Sequence, residues 1–279
     1  MLAQPLFSIL IAQYNNGVFF QQCYDSIISQ TYTNWEVIIV DDASTDDSVQ
    51  VMNAIIGEDN RFKIVENDKN YGCGYTKRKC ADIANGSICG FLDPDDALVP
   101  QALEVLIANH FEYPNASALY SNHYICDKDL NVTHLCHWTK QQPKDIHCYQ
   151  RTYVGHFLTF KRELYKKSNG INPNLKRAVD VDLHCHLEEQ GDLIFVNEPL
   201  YYYRLHEKGI STYENRDKAL VWVDIVKILN GLDRDKEFEK NYVMTKVREI
   251  NTWREDMSQI PARKIIQELI RRFRRKLSL

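Results

Sequence analysis

Residues 36–47 read EVIIVDDASTDD and residues 87–96 read SICGFLDPDD: twice, a short apolar run ends abruptly in a cluster of carboxylates. The first run, Glu36 to Val40, is β-branched and nearly continuous, as expected of a strand buried on both faces of a parallel sheet. An earlier run of the same kind, Phe7 to Ala12 (FSILIA), precedes a helix-length segment from Val18 to Gln30. The economical connection is a right-handed βαβ crossover. A helix over Ser48 to Ile56, a strand over Phe62 to Glu66, a helix over Thr76 to Ala84 and a strand over Ser87 to Leu92 continue the alternation. The pattern predicts a doubly wound α/β sheet, in which ligands sit at the carboxyl ends of the strands.

Those ends carry the acidic clusters. Asp41, Asp42, Asp46 and Asp47 follow one strand, and Asp93, Asp95 and Asp96 follow another around Pro94. Carboxylates packed this densely repel one another and need a cation or hydrogen-bond donors to hold their charge. Part of the first cluster has a local explanation, because Ser44 or Asp46 can cap the next helix. Pro94 and its neighbours are also ordinary turn residues. Their position directly after a buried strand nevertheless matches how magnesium or manganese is held beside substrate phosphates.

Composition narrows the class. The chain has 279 residues, 44% of them hydrophobic, enough for one large α/β core. A net charge of −4 gives no global reason to expect nucleic acid as a partner. Eight cysteines are scattered without metal-ligand pairing, and Cys136, His137, His147 and Cys148 lack the spacing of a structural zinc site. They read as reduced thiols of a cytoplasmic protein. The N-terminus has no basic region before its apolar run, and no stretch approaches the roughly twenty apolar residues of a membrane span. From about Glu214 the pattern is helical, and Ala262 to Leu279 forms a basic amphipathic segment. That segment suits either docking on the α/β domain or an anionic membrane on the inner face of the cell membrane.

Four elements in order give the chain a resemblance: FSILIAQYNNG (7–17), EVIIVDDASTDD (36–47), NYGCGYTKRKCADIANGSICGFLDPDD (70–96), and VDVDLHCHLEEQG (179–191) followed by YYYRLH (201–206). Over roughly residues 5–210 it resembles family-2 glycosyltransferases of the GT-A fold, which make bacterial polysaccharides and glycolipids. The resemblance implies a Rossmann-like mixed sheet flanked by helices. Residues 1–213 would be the transferase domain, with a nucleotide-sugar half (5–100) and an acceptor half (101–213), and residues 214–279 a helical extension.

It also implies roles. Ala12, Gln13 and Tyr14 would line the base pocket, although the family's usual proline is replaced by Ala12. Asp41 or Asp42 would accept a hydrogen bond from the base. Asn70, Gly72, Lys77 and Arg78 would face the base or the diphosphate. Asp93, Pro94 and Asp95 would form the metal motif, with Asp95 on Mn²⁺ or Mg²⁺, Asp93 at the ribose or metal, and Asp96 in support. His206 would join the metal. Asp180 would be the catalytic base, with Asp182 as the alternative; both could instead cap a helix beginning near Leu183. His184 and His186 read as helix surface or acceptor-site lining. The expected reaction is an inverting transfer from a nucleoside-diphosphate sugar, with UDP favoured, to a glycan or lipid-linked acceptor. A nucleotidyltransferase or a noncatalytic glycan-binding protein are the alternatives. The former usually carries a basic Gly-rich loop after the first strand, where this chain has Gln13 to Gly17 and no cation.

Overall fold

The computed structural model describes residues 4–232, 234–243 and 246. Its sheet opens with β1 (Phe7–Gln13), β2 (Trp35–Asp41), β3 (Phe62–Glu66) and β4 (Ile88–Phe91). These are parallel in the order β3-β2-β1-β4 and are joined by α1 (Phe20–Ile28), α2 (Ser48–Ile56) and α3 (Cys73–Ile83). Each strand lies within a few residues of its expected span. A 3₁₀ turn over Gly17–Phe19 takes the place of the first helical turn expected at Val18.

The period of two explains why these strands are apolar throughout. Phe7, Ile9 and Ile11 of β1, with Val37 and Ile39 of β2, point into one core, shared with Phe20, Met52 and Leu103. Leu10, Ile38 and Val40 point into the other, shared with Cys80, Phe160 and Val181. All eight cysteines are free thiols, and all except the partly exposed Cys73 are buried.

Beyond β4 the sheet becomes mixed. The later elements are β5 (Ala97–Leu98), α4 (Ala102–Glu112), β6 (Ala116–Cys126), β7 (Val132–Leu135), β8 (Leu158–Lys161), α5 (Arg162–Lys167), α6 (Val179–Glu188) and β9 (Asp192–Arg204). Strand β8 runs antiparallel between β4 and β6, β9 lies parallel to β6, and the short β5 pairs antiparallel with β9. Register shifts along the β6·β9 ladder bend that half of the sheet, so the last residues of β9 return beside the turn that follows β4.

Helix α7 (Arg216–Gly231) completes the structure by packing Val221, Trp222, Ile225 and Val226 into the same apolar cluster as α6 and β8. No helix among the described residues is long and apolar enough to cross a membrane. The basic segment 262–279 lies outside the described residues.

Trp222 is nearly fully buried in this cluster. Trp222→Ala is therefore expected to lower unfolding stability by about 3–5 kcal/mol, read as a reduced midpoint in urea denaturation. A change below about 1 kcal/mol would show that α7 is not part of the cooperative core.

Candidate active site

At the carboxyl ends of the parallel strands lies a cleft of about 440 Å³. Ala12, Gln13 and Tyr14 from the end of β1 form one side of it. Gln13 is only 1% exposed, and neither end of its side-chain amide has a hydrogen-bond partner. A buried amide in that state costs about 1–3 kcal/mol, so it is a group waiting for a ligand or water.

The two aspartates that close β2 divide. Asp41 turns into the loop, accepting from the Ser44 amide at 2.8 Å and its hydroxyl at 2.5 Å, and it does not reach the cleft. Asp42 lines the cleft and accepts from the Asn67 side chain (2.8 Å) and the amides of Tyr71 (2.9 Å) and Gly72 (2.6 Å). Asp46 rather than Ser44 serves the start of α2, accepting from the Ser48 amide at 3.0 Å.

Gly72 precedes α3 with φ of +94°, a region that residues with a Cβ rarely adopt, and a Cβ there would strike Lys176. That turn brings Asn70 and Gly72 to the cleft and starts α3, so that Lys77 points inward. Arg78, one residue on, does not: it donates to the carbonyls of Asn169 and Ile171 and pairs with Asp82. The sequence reading that placed Arg78 at the ligand is corrected by helix geometry, since neighbouring residues lie about 100° apart around the axis.

The turn after β4 carries Asp93, Pro94, Asp95 and Asp96, all lining the cleft. Each carboxylate is held differently. Asp93 pairs with Lys77 at 2.9 Å. Burial opposes charge on both, but their mutual attraction wins, lowering the Asp93 pKa and raising that of Lys77. Asp95 meets His206 Nε2 at 2.7 Å. Asp96 accepts from the Tyr201 hydroxyl and the Arg204 amide, both at 2.7 Å. Burial first, and then the charges of Asp95 and Asp93, push the Asp96 carboxyl well above its ordinary range.

His206 therefore stands behind Asp95 rather than in the cleft wall. It is 6% exposed, its Nδ1 has no partner, and its ring rests on Phe19 at 4.5 Å between centroids. Among the described residues no three His, Cys, Asp or Glu side chains gather in the manner of a complete metal cage.

The far wall is the start of α6. Ala178, in left-handed conformation (φ 53°), turns the chain so that the helix begins at Val179, four residues before the expected Leu183. Asp180 and Asp182 are then first-turn residues, not caps, and they face apart. Asp180 lines the cleft. Asp182 is 2% exposed and accepts from the Asn172 amide (2.8 Å) and the Asn230 side chain (3.0 Å) of α7. The reading of Asp182 as an alternative base is thereby overturned: its carboxylate is consumed in joining α6 to its neighbours.

His184 and His186 are both buried rather than surface residues. His186 bonds the Gly170 carbonyl. His184 lies near Asp180, and burial pushes its imidazole down to about 4 against the pull of that carboxylate.

Several cleft residues were not singled out from the sequence. Lys176, Arg177 and Lys208 add positive charge, and His156 is stacked between Tyr201 and Tyr203 at 5.1 and 4.9 Å. The adjacent Lys176-Arg177 pair, just before Asp180, was the available signal; His156, on a loop before β8, had none.

Comparison with known proteins follows the same lines. Residues 8–169 match the family described as Glycosyl transferase family 2. Chondroitin synthase of Escherichia coli is 27% identical over 208 residues, covering 74% of this chain and 30% of that protein. Glycosyltransferase GlyG of Streptococcus pneumoniae is 26% identical over 241 residues, covering 81% and 78%. The chain spans less than a third of the length of the two chondroitin synthases and the hyaluronan synthase it matches. Staphylococcus aureus TarS 1-349 in complex with UDP-GlcNAc aligns with a TM-score of 0.66 at 19% identity, covering 82% of this chain and 67% of that one. The mannosyltransferase PcManGT from Pyrobaculum calidifontis, in complex with GDP-Man and Mn²⁺, aligns at 0.60 and 16%, covering 95% and 84%. At these identities the two structures establish a shared GT-A fold.

The separation of the two α6 carboxylates has a direct consequence for stability. Asp182→Ala removes the acceptor of the Asn172 amide and of one N–H of Asn230, whose nitrogen keeps only its bond to the Val226 carbonyl, and is expected to cost about 1–3 kcal/mol, whereas Asp180→Asn, on the cleft, should stay within about 0.5 kcal/mol of the parent. Chemical denaturation of both variants measures this; equal losses would contradict the assignment.

Proposed function

Because the chain belongs to glycosyl transferase family 2, we propose that it is an inverting transferase carrying one sugar from a nucleoside diphosphate, UDP, to a glycan or lipid-linked acceptor in the synthesis of a bacterial cell-surface polysaccharide. The observation that carries this reading is the placement of Asp180 in the same cleft as the acidic turn 93–96, two elements far apart in sequence. One wall suits an activated phosphate ester and the other offers a base.

The orphaned amide of Gln13 and the carboxylate of Asp42 both line the cleft, and in this reading they bind the nucleotide base. Lys77, Lys176, Arg177 and Lys208 supply the positive field for a diphosphate. A hard divalent ion fits this donor set: Asp93 and Asp95 offer carboxylate oxygens, and each engages its neighbour through only one of them, leaving the other for coordination. Asp93 and Asp95 would hold Mn²⁺ or Mg²⁺, with His206, which stands behind Asp95 and bonds it, orienting that carboxylate rather than joining the ion as the sequence suggested. When bound, the ion supplies Lewis-acid neutralisation of the departing diphosphate.

Asp180 takes the proton of the acceptor hydroxyl. The acceptor oxygen then bonds to the anomeric carbon from the face opposite the diphosphate, the bond from that carbon to the phosphate oxygen breaks, and the configuration inverts. A water would follow the same route, so slow donor hydrolysis reports the site without knowledge of the acceptor. In this reading the protein works in the cytoplasm, with segment 262–279 meeting the anionic inner face of the membrane.

Thermal denaturation with UDP tests the proposal. UDP with Mn²⁺ should raise the melting temperature, EDTA should cancel most of that rise, and Asp95→Ala should abolish the Mn²⁺ dependence. Asp180→Asn should keep the UDP-induced shift while turnover of the matching UDP-sugar falls about 10²–10⁴-fold. Parental turnover in Asp180→Asn, or Mn²⁺-dependent binding that survives Asp95→Ala, would refute the assignment.

A further inference from the structure

A cavity of about 550 Å³, larger than the cleft, lies at the opposite end of the sheet. It sits where β1 and β4 begin and where the antiparallel β8 ends, with Lys161 beside Ile88. The cleft occupies the other ends of the same strands, so the seven residues of β1 hold the two apart by roughly 20 Å. They share no lining residue, and the transfer chemistry makes no use of this one.

The lining joins an apolar surface to a cationic wall. Pro5, Ile88, Phe111 and Pro114 supply the apolar part, and Phe111, near the end of α4, is 58% exposed. The wall comes from the junction of β8 and α5, where Lys161, Arg162 and Lys166 stand with one carboxylate, Glu163. Lys161 is already engaged: it donates to the carbonyls of Tyr113 and Pro114, and burial lowers its pKa against the pull of Glu163. Arg162 and Lys166 are not. They lie four residues apart on α5 and so share a face, and both act on the buried Cys89 thiol of β4. The Arg162 side chain makes one long hydrogen bond, to the Asp82 carbonyl at 3.5 Å, and its buried Nε has no partner. Lys166 is exposed and has no partner among the described residues. The rest of the polar lining is neutral: Asn85 is held by Glu36, and burial pushes the His110 imidazole down to about 3.

Three cations against one carboxylate leave the lining two positive charges. A phosphate monoester carries a charge of about −1.5 to −2 at pH 7, which matches that excess where a lone carboxylate would not. A guanidinium offers paired donors to phosphate oxygens, and a lysine adds a mobile point charge. We propose that this cavity binds a phosphate monoester with an apolar or flat aromatic body, the phosphate between Arg162 and Lys166 and the body against Ile88, Phe111 and Pro114. The site goes beyond the transferase reading and does not depend on it, since both cavities can be filled at once.

Fluorescence titration of the full chain with naphthyl phosphate, in excess UDP, tests the site. The probe should bind saturably and about tenfold or more tightly than either inorganic phosphate or naphthol used as competitors, because each lacks one half of the contact. Lys166→Glu and Phe111→Ser, both at exposed positions, should each weaken the probe about tenfold with the melting temperature unchanged, whereas Lys208→Glu, in the cleft, should leave binding as it is. Uridine monophosphate and dihexanoyl phosphatidic acid separate a nucleotide from a lipid source of the same chemistry, and one of them should displace the probe. Binding indifferent to Lys166→Glu and Phe111→Ser, no preference over inorganic phosphate, or displacement by neither monoester would overturn the proposal.

Discussion

The structure depends on how three carboxylates can be crowded onto one turn at the edge of a buried sheet. Two like charges about 4 Å apart at an effective dielectric of about 20 repel by about 4 kcal/mol, and burial adds to the penalty. The chain meets this with three separate devices. Lys77 from α3 neutralises Asp93, His206 accompanies Asp95, and Asp96 is hydrogen-bonded by Tyr201 and the Arg204 backbone while its proton affinity rises. Three of these four partners sit on β9 or just after it, which explains why the sheet must bend that strand back to the turn. Arg204 adds a brace, donating to the Asp95 carbonyl at 2.5 Å, to the Lys128 carbonyl and to the Gln22 side chain. The YYYRLH segment is thus the counter-wall of the acidic turn, and its polar residues are buried because the carboxylates require them there.

This arrangement also separates what was legible in the sequence from what was not. The first four strands were legible because parallel strands covered on both faces must be apolar at every position, and their ends were marked by acidic clusters. The mixed half was harder to read. Strand β6 carries Ser117, Ser121, Asn122 and His123, all buried, and its partners return from 40 and 80 residues away, so neither alternation nor composition marks it. The resemblance to a known family, not periodicity, carried the fold across that region.

Errors at individual site residues share one cause. Lys77 and Arg78 are adjacent, and Asp180 and Asp182 are two apart; on a helix these steps rotate the side chain by about 100° and 200°. Only one member of each pair can face the cleft, and which one depends on where the helix starts. For α6 that point is set by the left-handed Ala178, a backbone state that nothing in the residue type announces, since alanine has no preference for it. With the helix expected at Leu183, both aspartates looked alike. With it beginning at Val179, one is a cleft residue and the other is part of the core. Asp41 and Asp42 part in the same way, by the side of the strand end from which each carboxylate leaves, so that Asp42 alone of the two lines the cleft.

The burial of α6 bears on what Asp180 can do. Val179 and every residue from Val181 to Leu187 are buried, so the helix is packed on nearly all sides and has little freedom to tilt or slide. Asp182 reinforces this by joining α6 to the 172 loop and to α7. Asp180 is the exception on an otherwise enclosed turn, and its position relative to the acidic turn is set by core packing rather than by a mobile loop. In the proposed transfer, a base fixed in this way would meet the strict geometric demand of in-line displacement without being drawn into place by substrate. Adaptability is left to the segment Lys208 to Thr212, which lines the cleft and reaches solvent. The division of labour follows from physical necessity: crowded charge has to be immobile to be tolerable, and immobile charge is what an ordered displacement requires.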